Sequence, residues 1–173
     1  MLSACKKSGH LGFSLVELMI GVAILAILAG LAMPNFQTWI RNSQIRNAAE
    51  SITNGLQRAR AEAVARNSNV AFALGAGSSW TISVVTPASV IESRSGSEGS
   101  KNVTRTEQPV GATTITFNNF GGVVANADAT ASLTQIDLAA VGGNQNLRVT
   151  IGVGGNARMC DPSLSVVSNP RGC

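Results

Sequence analysis

The sequence predicts an α+β fold in which one long N-terminal helix packs against a C-terminal antiparallel sheet or small two-sheet sandwich. Three observations support this fold. Residues 14–33 form an apolar run, residues 45–64 repeat apolar side chains at helical spacing, and short β-branched runs separated by turn signals fill the remainder of the chain. With 173 residues, 45% of them hydrophobic, the chain is long enough and apolar enough to bury one core.

The apolar run at residues 14–33 has the length of a membrane span. A hydrocarbon core about 30 Å thick needs roughly 20 apolar residues in a helix, and Glu17 is the only charged residue in this run. Lys6 and Lys7 precede the run and, by the positive-inside rule, would hold the N-terminus on the cytoplasmic side. An ionised side chain is costly in hydrocarbon. We therefore expect Glu17 either to have a charged partner or, in an ordinary single-pass anchor, to snorkel to the headgroups.

Pro34 follows the apolar run, and we predict that it kinks the helix rather than ending it. The reason is that apolar residues at helical spacing resume beyond it. This apolar face consists of Ile45, Ala48, Ala49, Ile52, Leu56, Ala59, Ala63 and Val64. Arg58, Glu62 and Arg66 follow one another at four-residue spacing on the opposite face, as in a solvated helix edge.

The predicted helix therefore has an apolar half at residues 13–34 and an amphipathic half at residues 35–67, and a β-rich domain follows at residues 68–173. The predicted strands are residues 70–74, 80–85, 113–117, 133–138 and 147–153. Turns rich in Gly and Asn separate them. The polar stretch at residues 93–109, rich in Gly and Ser, is predicted to be a long surface loop.

The start of the apolar run carries a specific motif. The stretch GFSLVELM at residues 12–19 resembles the class III signal of type IV pilins and type II secretion pseudopilins. The resemblance implies that residues 1–12 are a leader, that a prepilin peptidase cuts between Gly12 and Phe13, and that the new amine is methylated. It also implies that Glu17 pairs with the N-terminal amine of a neighbouring subunit during assembly, which would neutralise both charges in a low-dielectric bundle. The expected architecture is then the pilin fold.

Removal of such a leader also bears on the cysteines. Cys5 would leave with it, although Leu2-Ser3-Ala4-Cys5 alone has the look of a lipoprotein cleavage box, one that has no hydrophobic region before it. Cys160 and Cys173 would remain as an even pair outside the cytoplasm, where a disulfide is the expected state. With no His nearby and no second cysteine pair, they do not suit a zinc site.

A second resemblance lies further along the chain. The stretches QRARAEAVARN at residues 57–67 and WTI at residues 80–82 resemble the helix exit and first strands of the family that contains the minor pilins FimT and FimU and the pseudopilin GspH. This implies a minor pilin that takes part in priming pilus assembly and sits at the pilus tip, with roles in twitching motility and adhesion. The implied partners are the prepilin peptidase, other minor pilins, the major pilin and an inner-membrane assembly platform. The prepilin would lie in the bacterial inner membrane with its globular domain in the periplasm, before it joins the extracellular pilus.

Two alternative roles stay open, DNA uptake and type II secretion. In the FimT branch a Gly-Arg-x-Arg motif near the C-terminus is associated with DNA binding during natural transformation, and the stretch at residues 155–158 here reads GNAR. Asn156 replaces the first arginine, so Arg158 carries over and Arg171 is a second candidate DNA contact. A β-rich domain with balanced charges is thinly equipped for phosphate contacts, and both arginines are otherwise loop residues or partners of Asp161. The other alternative is a GspH-like minor pseudopilin of type II secretion.

The sequence speaks against an enzyme. His10, the only histidine, would leave with the leader. Glu92, Glu98 and Glu107 are assigned to a loop with nothing to hold them as an acid–base pair, and no phosphate-cradling glycine motif follows a predicted strand. We therefore expect a structural subunit without catalytic activity, cofactor or bound metal.

Overall fold

The computed structural model describes residues 12–173. Apart from Gly12, the predicted leader, with Cys5, Lys6, Lys7 and His10, lies outside the described residues. The chain divides into two compact units, and the boundary between them lies between Phe36 and Gln37.

One helix, α1, runs from Leu15 to Arg66 and contains 52 residues. Pro34 lies inside it, so the helix continues past this residue as predicted, while the kink stays a prediction. In the first unit every described residue is exposed. By length and composition α1 is able to cross a membrane.

The second unit contains the C-terminal half of α1 and the β-rich domain. Within the described residues the strands are β1 (Val70–Leu74), β2 (Trp80–Val84), β3 (Ser89–Arg94), β4 (Val103–Gln108), β5 (Thr114–Phe117), β6 (Val123–Val124), β7 (Gln135–Ala140), β8 (Leu147–Ile151) and β9 (Ala157–Cys160). They form a five-stranded sheet with the order β3-β2-β1-β5-β6 and a four-stranded sheet with the order β4-β7-β8-β9. All pairs are antiparallel, so the predicted α+β fold is confirmed.

Small and branched side chains on one face of α1 form the floor of the core. The buried members of this face are Ile45, Ala48, Ala49, Ile52, Leu56, Ala59 and Ala63. Alternate residues of β1, β2 and β7 cover them, as expected for strands with one buried face. The assignment of Val64 to this face was wrong, because its side chain is 51% exposed.

Gly55 lies in close contact with the five-stranded sheet. A Cβ atom at this position would lie 2.8 Å from the Phe72 ring and 3.0 Å from the Trp80 ring. The two rings pack with their centroids 5.7 Å apart, and the Trp80 indole N–H donates to Ser51 Oγ at 2.9 Å. The helix can therefore lie flat on the two rings because position 55 has no side chain.

The long loop predicted at residues 93–109 was wrong. Nearly half of it belongs to the end of β3 and to β4, which are edge strands of different sheets. The Arg105 guanidinium on β4 donates to the carbonyls of Gly75 and Gly77 in the β1–β2 turn. This arginine ties the edge of one sheet to a turn of the other, and that tie explains why a polar stretch is ordered here.

We predict that Gly55→Ala destabilises the globular domain. The added methyl group would overlap the Phe72 and Trp80 rings, and overpacking of this kind costs about 1–3 kcal/mol. The melting temperature of the full chain in detergent should then fall by roughly 3–10 °C.

Gly30→Ala is the matched control, because a Cβ on this helical glycine has no other atom within 4 Å. It should leave the melting temperature of the domain unchanged. Equal melting temperatures for the wild type and Gly55→Ala would contradict the close packing described here.

Candidate functional site

The N-terminus of α1 is capped by a serine. Ser14 precedes the first helical residue, and its Oγ accepts a hydrogen bond from the Glu17 backbone N–H at 3.2 Å. The Ser14 carbonyl accepts the first helical bond, from Leu18 N–H at 3.1 Å. The spacing Ser-x-x-Glu is a known start signal for helices, and it is the sequence feature that could have predicted this cap. Ser14 therefore fixes the backbone on which the Glu17 carboxylate is presented.

Glu17 lies in an apolar groove on one side of the helix. The groove has a volume of about 290 Å³ and is lined by Phe13, Glu17, Leu18, Gly21, Val22 and Leu25. Gly21, one turn beyond Glu17, forms its floor, since a Cβ there would meet no other atom within 4 Å. Among the ion pairs of residues 12–173, none includes Glu17. Within the described residues, Glu17 thus presents a carboxylate without a counter-ion beside an open apolar groove.

A second exposed groove lies on the globular domain. It has a volume of about 450 Å³ and is lined by Gln57, Arg60, Ala61, Val64, Ala65 and Phe120. Phe120, in the β5–β6 turn, is 84% exposed, and Arg60 Nε donates to the Gly121 carbonyl at 3.0 Å, which holds the turn against α1. An exposed phenylalanine beside small helical residues is typical of a protein contact surface.

The C-terminus is held to β9 by a disulfide and by an arginine. Cys160 and Cys173 form the predicted disulfide, with their Cα atoms 5.2 Å apart. Arg158 Nη2 donates to the carbonyls of Pro170 at 3.2 Å and Gly172 at 2.9 Å. The sequence did not predict that Arg158 holds this segment, because nothing local in the sequence shows that the C-terminal residues fold back onto Arg158. Arg171 is exposed.

The Asp161 carboxylate organises the turn that follows β9 and forms no ion pair with either arginine within residues 12–173, although the Asp161 backbone N–H donates to the Arg171 carbonyl at 2.7 Å. Its Oδ1 accepts hydrogen bonds from Ser163 N–H at 2.8 Å and from the Ser163 hydroxyl at 2.6 Å. The suggestion that Asp161 pairs with Arg158 or Arg171 was therefore wrong. Both candidate DNA contacts are exposed, and Arg158 already uses hydrogen bonds to hold the C-terminal segment.

Gly155, in the stretch that resembles the DNA-binding motif, has a conformational role. Its φ is +78°, and a Cβ there would lie 2.1 Å from the Gly121 carbonyl oxygen. The β8–β9 turn therefore lies directly on the β5–β6 turn, a contact that only glycine allows.

The carboxylates of the domain form ion pairs and hydrogen bonds within the fold. Arg58 pairs with Glu92 at 3.0 Å, and Arg148 Nε donates to Asp137 Oδ1 at 2.6 Å across β7 and β8. The hydrogen bond to Asp137 raises the pKa of Arg148 above its usual value. Hydrogen bonds from Thr130 lower the pKa of the exposed Asp128, which is the wrong direction for a general acid.

Within residues 12–173 no group of three or more His, Cys, Asp or Glu side chains is placed to hold a metal ion. Glu92 and Glu107 lie on strands β3 and β4 rather than in a mobile loop. Glu98, between these strands, pairs with Arg94 at 3.7 Å. The described carboxylates therefore form ion pairs that are exposed or lie on strands, and they are not arranged as a paired acid and base.

We predict that the double variant Cys160→Ser and Cys173→Ser unfolds more easily than the wild type. The disulfide closes a loop with a sequence separation of 13, and a loop of about this size contributes about 3 kcal/mol in the chain-entropy model. The urea midpoint should fall accordingly.

Arg158→Gln, with the disulfide intact, is the companion variant for this experiment. It removes two hydrogen bonds to carbonyls and should lower the free energy of unfolding by about 1–3 kcal/mol. A urea midpoint that neither change moves would mean that the C-terminal segment does not stabilise the domain.

Comparison with known proteins gives two family matches. Residues 48–159 match the family described as type II transport protein GspH, and residues 7–33 match the prokaryotic N-terminal methylation motif. The first match covers α1 from its buried alanines and extends through the sheets to β9. The second contains Gly12, Phe13 and Glu17.

Solved structures support the same fold. Two crystal forms of the type IV minor pilin FimU from Pseudomonas aeruginosa superpose on the chain. One gives a TM-score of 0.52 at 19% identity and covers 69% of this chain and 94% of FimU. The other gives 0.54 at 17% identity and covers 73% and 95%. At this identity the likeness concerns the fold.

A curated relative shares a short segment only. The type IV major fimbrial protein FimA of Dichelobacter nodosus is 54% identical over 39 residues, which are 22% of this chain and 25% of FimA. The chain thus spans about a quarter of the length of this relative. Taken with the family match over residues 48–159, the methylation motif and the FimU-like fold, these findings show that the chain belongs to the GspH family of minor type IV pilins and pseudopilins.

Proposed function

We propose that this chain is a minor type IV pilin that takes part in priming pilus assembly and sits at the pilus tip, where it would serve twitching motility and adhesion. The prepilin would lie in the inner membrane with the globular domain in the periplasm. A prepilin peptidase would remove residues 1–12 by cutting after Gly12 and would methylate Phe13. Other minor pilins, the major pilin and the inner-membrane assembly platform would be its partners.

The observation that carries this proposal is the unpaired Glu17 carboxylate beside the apolar groove. The side chains of the first unit are exposed over its whole described length, so they need a lipid or protein environment. The cost of burying an ionised carboxylate falls when a cation meets it with good geometry. The amine of a neighbouring subunit that begins at Phe13 is such a cation, and a small residue at Gly21 leaves room for it to approach.

The groove on the globular domain supplies a second proposed contact. Phe120 and Val64 are exposed apolar side chains beside Ala61 and Ala65, and each would gain about 25 cal/mol per Å² on burial. We propose that the globular domain of a neighbouring pilin covers this groove. The contact would then add domain-on-domain packing to the helix contact at Glu17.

The comparisons favour one other role, in type II secretion, because the matching family is described as a type II transport protein. Deletion of the gene separates the two roles. Loss of pili with normal release of secreted proteins supports the pilus role. Normal pili with blocked release supports a minor pseudopilin.

DNA uptake has narrower support, namely the exposed Arg171 next to the disulfide. Arg158 donates to two carbonyls of the same segment, which leaves few cations for phosphates. Binding to DNA that weakens with salt and with Arg171→Gln would favour this role over the structural one.

We predict that Glu17→Gln blocks entry of the subunit into the pilus without blocking membrane insertion. The amide keeps the size of the side chain but cannot neutralise a buried ammonium group, and breaking a buried ion pair costs about 3–5 kcal/mol. Incorporation, measured as the ratio of the subunit in sheared pili to that in membranes, should fall by a factor of about a hundred or more.

Ser14→Ala is the matched control for this experiment. It removes the helix cap, at a cost of about 1 kcal/mol, but leaves the carboxylate in place, so incorporation should fall far less. Intact mass should give a methylated N-terminal Phe13 for both variants, which separates an assembly defect from a processing defect. Wild-type incorporation of Glu17→Gln would refute a role for the charge.

A further inference from the structure

A cleft lies on the globular domain between α1 and the connection from β7 to β8. It has a volume of about 350 Å³ and is lined by Trp39, Asn42, Ser43, Arg46 and Gln145. The four residues from α1 are spaced three and four apart, so they share one face of the helix. All of the lining residues belong to the second unit, so the cleft is a feature of that unit alone.

Hydrogen bonds from Asn42 fix the shape of this cleft. Asn42 Oδ1 accepts from the backbone N–H groups of Asn144 at 3.1 Å and Gln145 at 3.3 Å. Asn42 Nδ2 donates to Asn144 Oδ1 at 2.7 Å. A Cβ on Gly143 would lie 3.1 Å from Ile45 Cδ1, so the β7–β8 connection lies close on the helix. The contacts of the subunit itself therefore form the cleft.

Arg46 gives the cleft a positive charge. Its side chain is exposed, and among the ion pairs of residues 12–173 none includes it. No Asp or Glu is among the described residues that line the cleft. Glu50, one turn further along α1, is also exposed and is also in none of these ion pairs. Within the described residues the Arg46 guanidinium thus lacks a carboxylate partner.

The chemistry of the lining favours a carboxylate as the ligand. The planar guanidinium matches the two oxygens of a carboxylate with two parallel hydrogen bonds. The Ser43 hydroxyl and the Gln145 amide can donate further hydrogen bonds. The remaining lining residues are neutral, so the single cation balances the single charge of a carboxylate but only part of the charge of a phosphate dianion.

The neighbouring Trp39 indicates that this carboxylate belongs to a protein. Trp39 is 63% exposed and lies on the same helix face as Arg46. Tryptophan and arginine are enriched among the residues that contribute most to protein–protein binding. An indole beside a guanidinium offers apolar area together with a charge, and a protein surface can cover both, whereas a free ion can cover only the charge.

We propose that the cleft binds an aspartate or glutamate side chain of a neighbouring pilin, with the carboxylate on Arg46 and the adjoining chain of that pilin against Trp39. This inference rests on the proposed function, because it needs a pilus in which subunits pack together. In this contact the subunit supplies the cation, whereas Glu17 supplies the anion in the contact between helices. A neighbour without an acidic residue at this place would leave Arg46 buried and unpaired, which is costly. The cleft would therefore select which pilin lies beside this subunit.

A variant with a single lysine side chain tests this contact. Residues 13–173 contain one lysine, Lys101, so Arg46→Lys combined with Lys101→Gln leaves a lysine amine at position 46 only. Glu50→Gln is included because a carboxylate one turn away on the helix could otherwise react with that amine. A carbodiimide added to sheared pili activates carboxyl groups. An amine in contact with an activated carboxyl group then forms an amide, with the overall loss of one water.

Mass spectrometry should then find an amide between position 46 and an Asp or Glu of a second pilin. The matched control keeps Arg46 and carries Lys101→Gln, Glu50→Gln and Arg171→Lys. Arg171 is also exposed and has no ion pair within residues 12–173, so this control should give little or none of the amide. Pili that contain the variant without the amide at position 46, or equal yields at the two positions, would overturn the proposal.

Arg46→Gln supplies a second measurement, which needs no crosslink. Loss of one partner from a desolvated charge pair should lower the amount of the subunit in pili about thirtyfold or more, whereas Arg171→Gln should leave it unchanged. A wild-type amount of Arg46→Gln in pili would also overturn the proposal. Absence of the wild-type chain from pili would refute the proposed function and this contact with it. A wild-type chain that is present in pili, together with no amide at position 46, would refute this contact alone.

Discussion

The first half of α1 carries an apolar surface that the subunit does not cover, and this constraint governs the molecule. Every described residue up to Phe36 is exposed, and contact between so large an apolar surface and water is unfavourable. A bilayer or a bundle of like helices has to bury it. Glu17 adds a second constraint, because burial in hydrocarbon is favourable for the apolar side chains of the helix but unfavourable for an ionised carboxylate. A protein neighbour that carries a cation would both bury the apolar surface and neutralise Glu17, whereas a bilayer alone would only bury the apolar surface.

The second half of α1 meets the opposite requirement, because it is the floor of a folded domain. Alanines and Gly55 let it lie close to the Phe72 and Trp80 rings. The two sheets are then tied at their margins by Arg105, which contacts the β1–β2 turn, and Arg158 holds the C-terminal segment to β9. The second unit thus buries an apolar core of its own, whereas the described side chains of the first unit are exposed.

Much of the fold could be predicted from the sequence, because the sequence patterns that indicate its elements are local. Apolar length predicted the first half of α1, helical spacing predicted the buried face from Ile45 to Ala63, and runs rich in β-branched residues between turn signals predicted β1, β2, β5, β7 and β8. The cysteine count gave the disulfide. The polar edge strands β3 and β4 were not predicted, since Val103 is their one buried residue and ladder bonds and Arg105 hold most of their length. Arg158 escaped as a structural residue because its acceptors lie 12 and 14 residues further along the chain.

The central claim is that neighbouring pilin subunits bury the groove at Glu17. A photo-crosslinker at Leu25, which lines that groove, tests this most directly in living cells that carry the proposed pilus. Sheared pili are expected to contain a covalent adduct between this subunit and a second pilin, and the membrane fraction is expected to contain lipid adducts. Lipid adducts in the membrane together with no pilin adduct in the pili would contradict the claim.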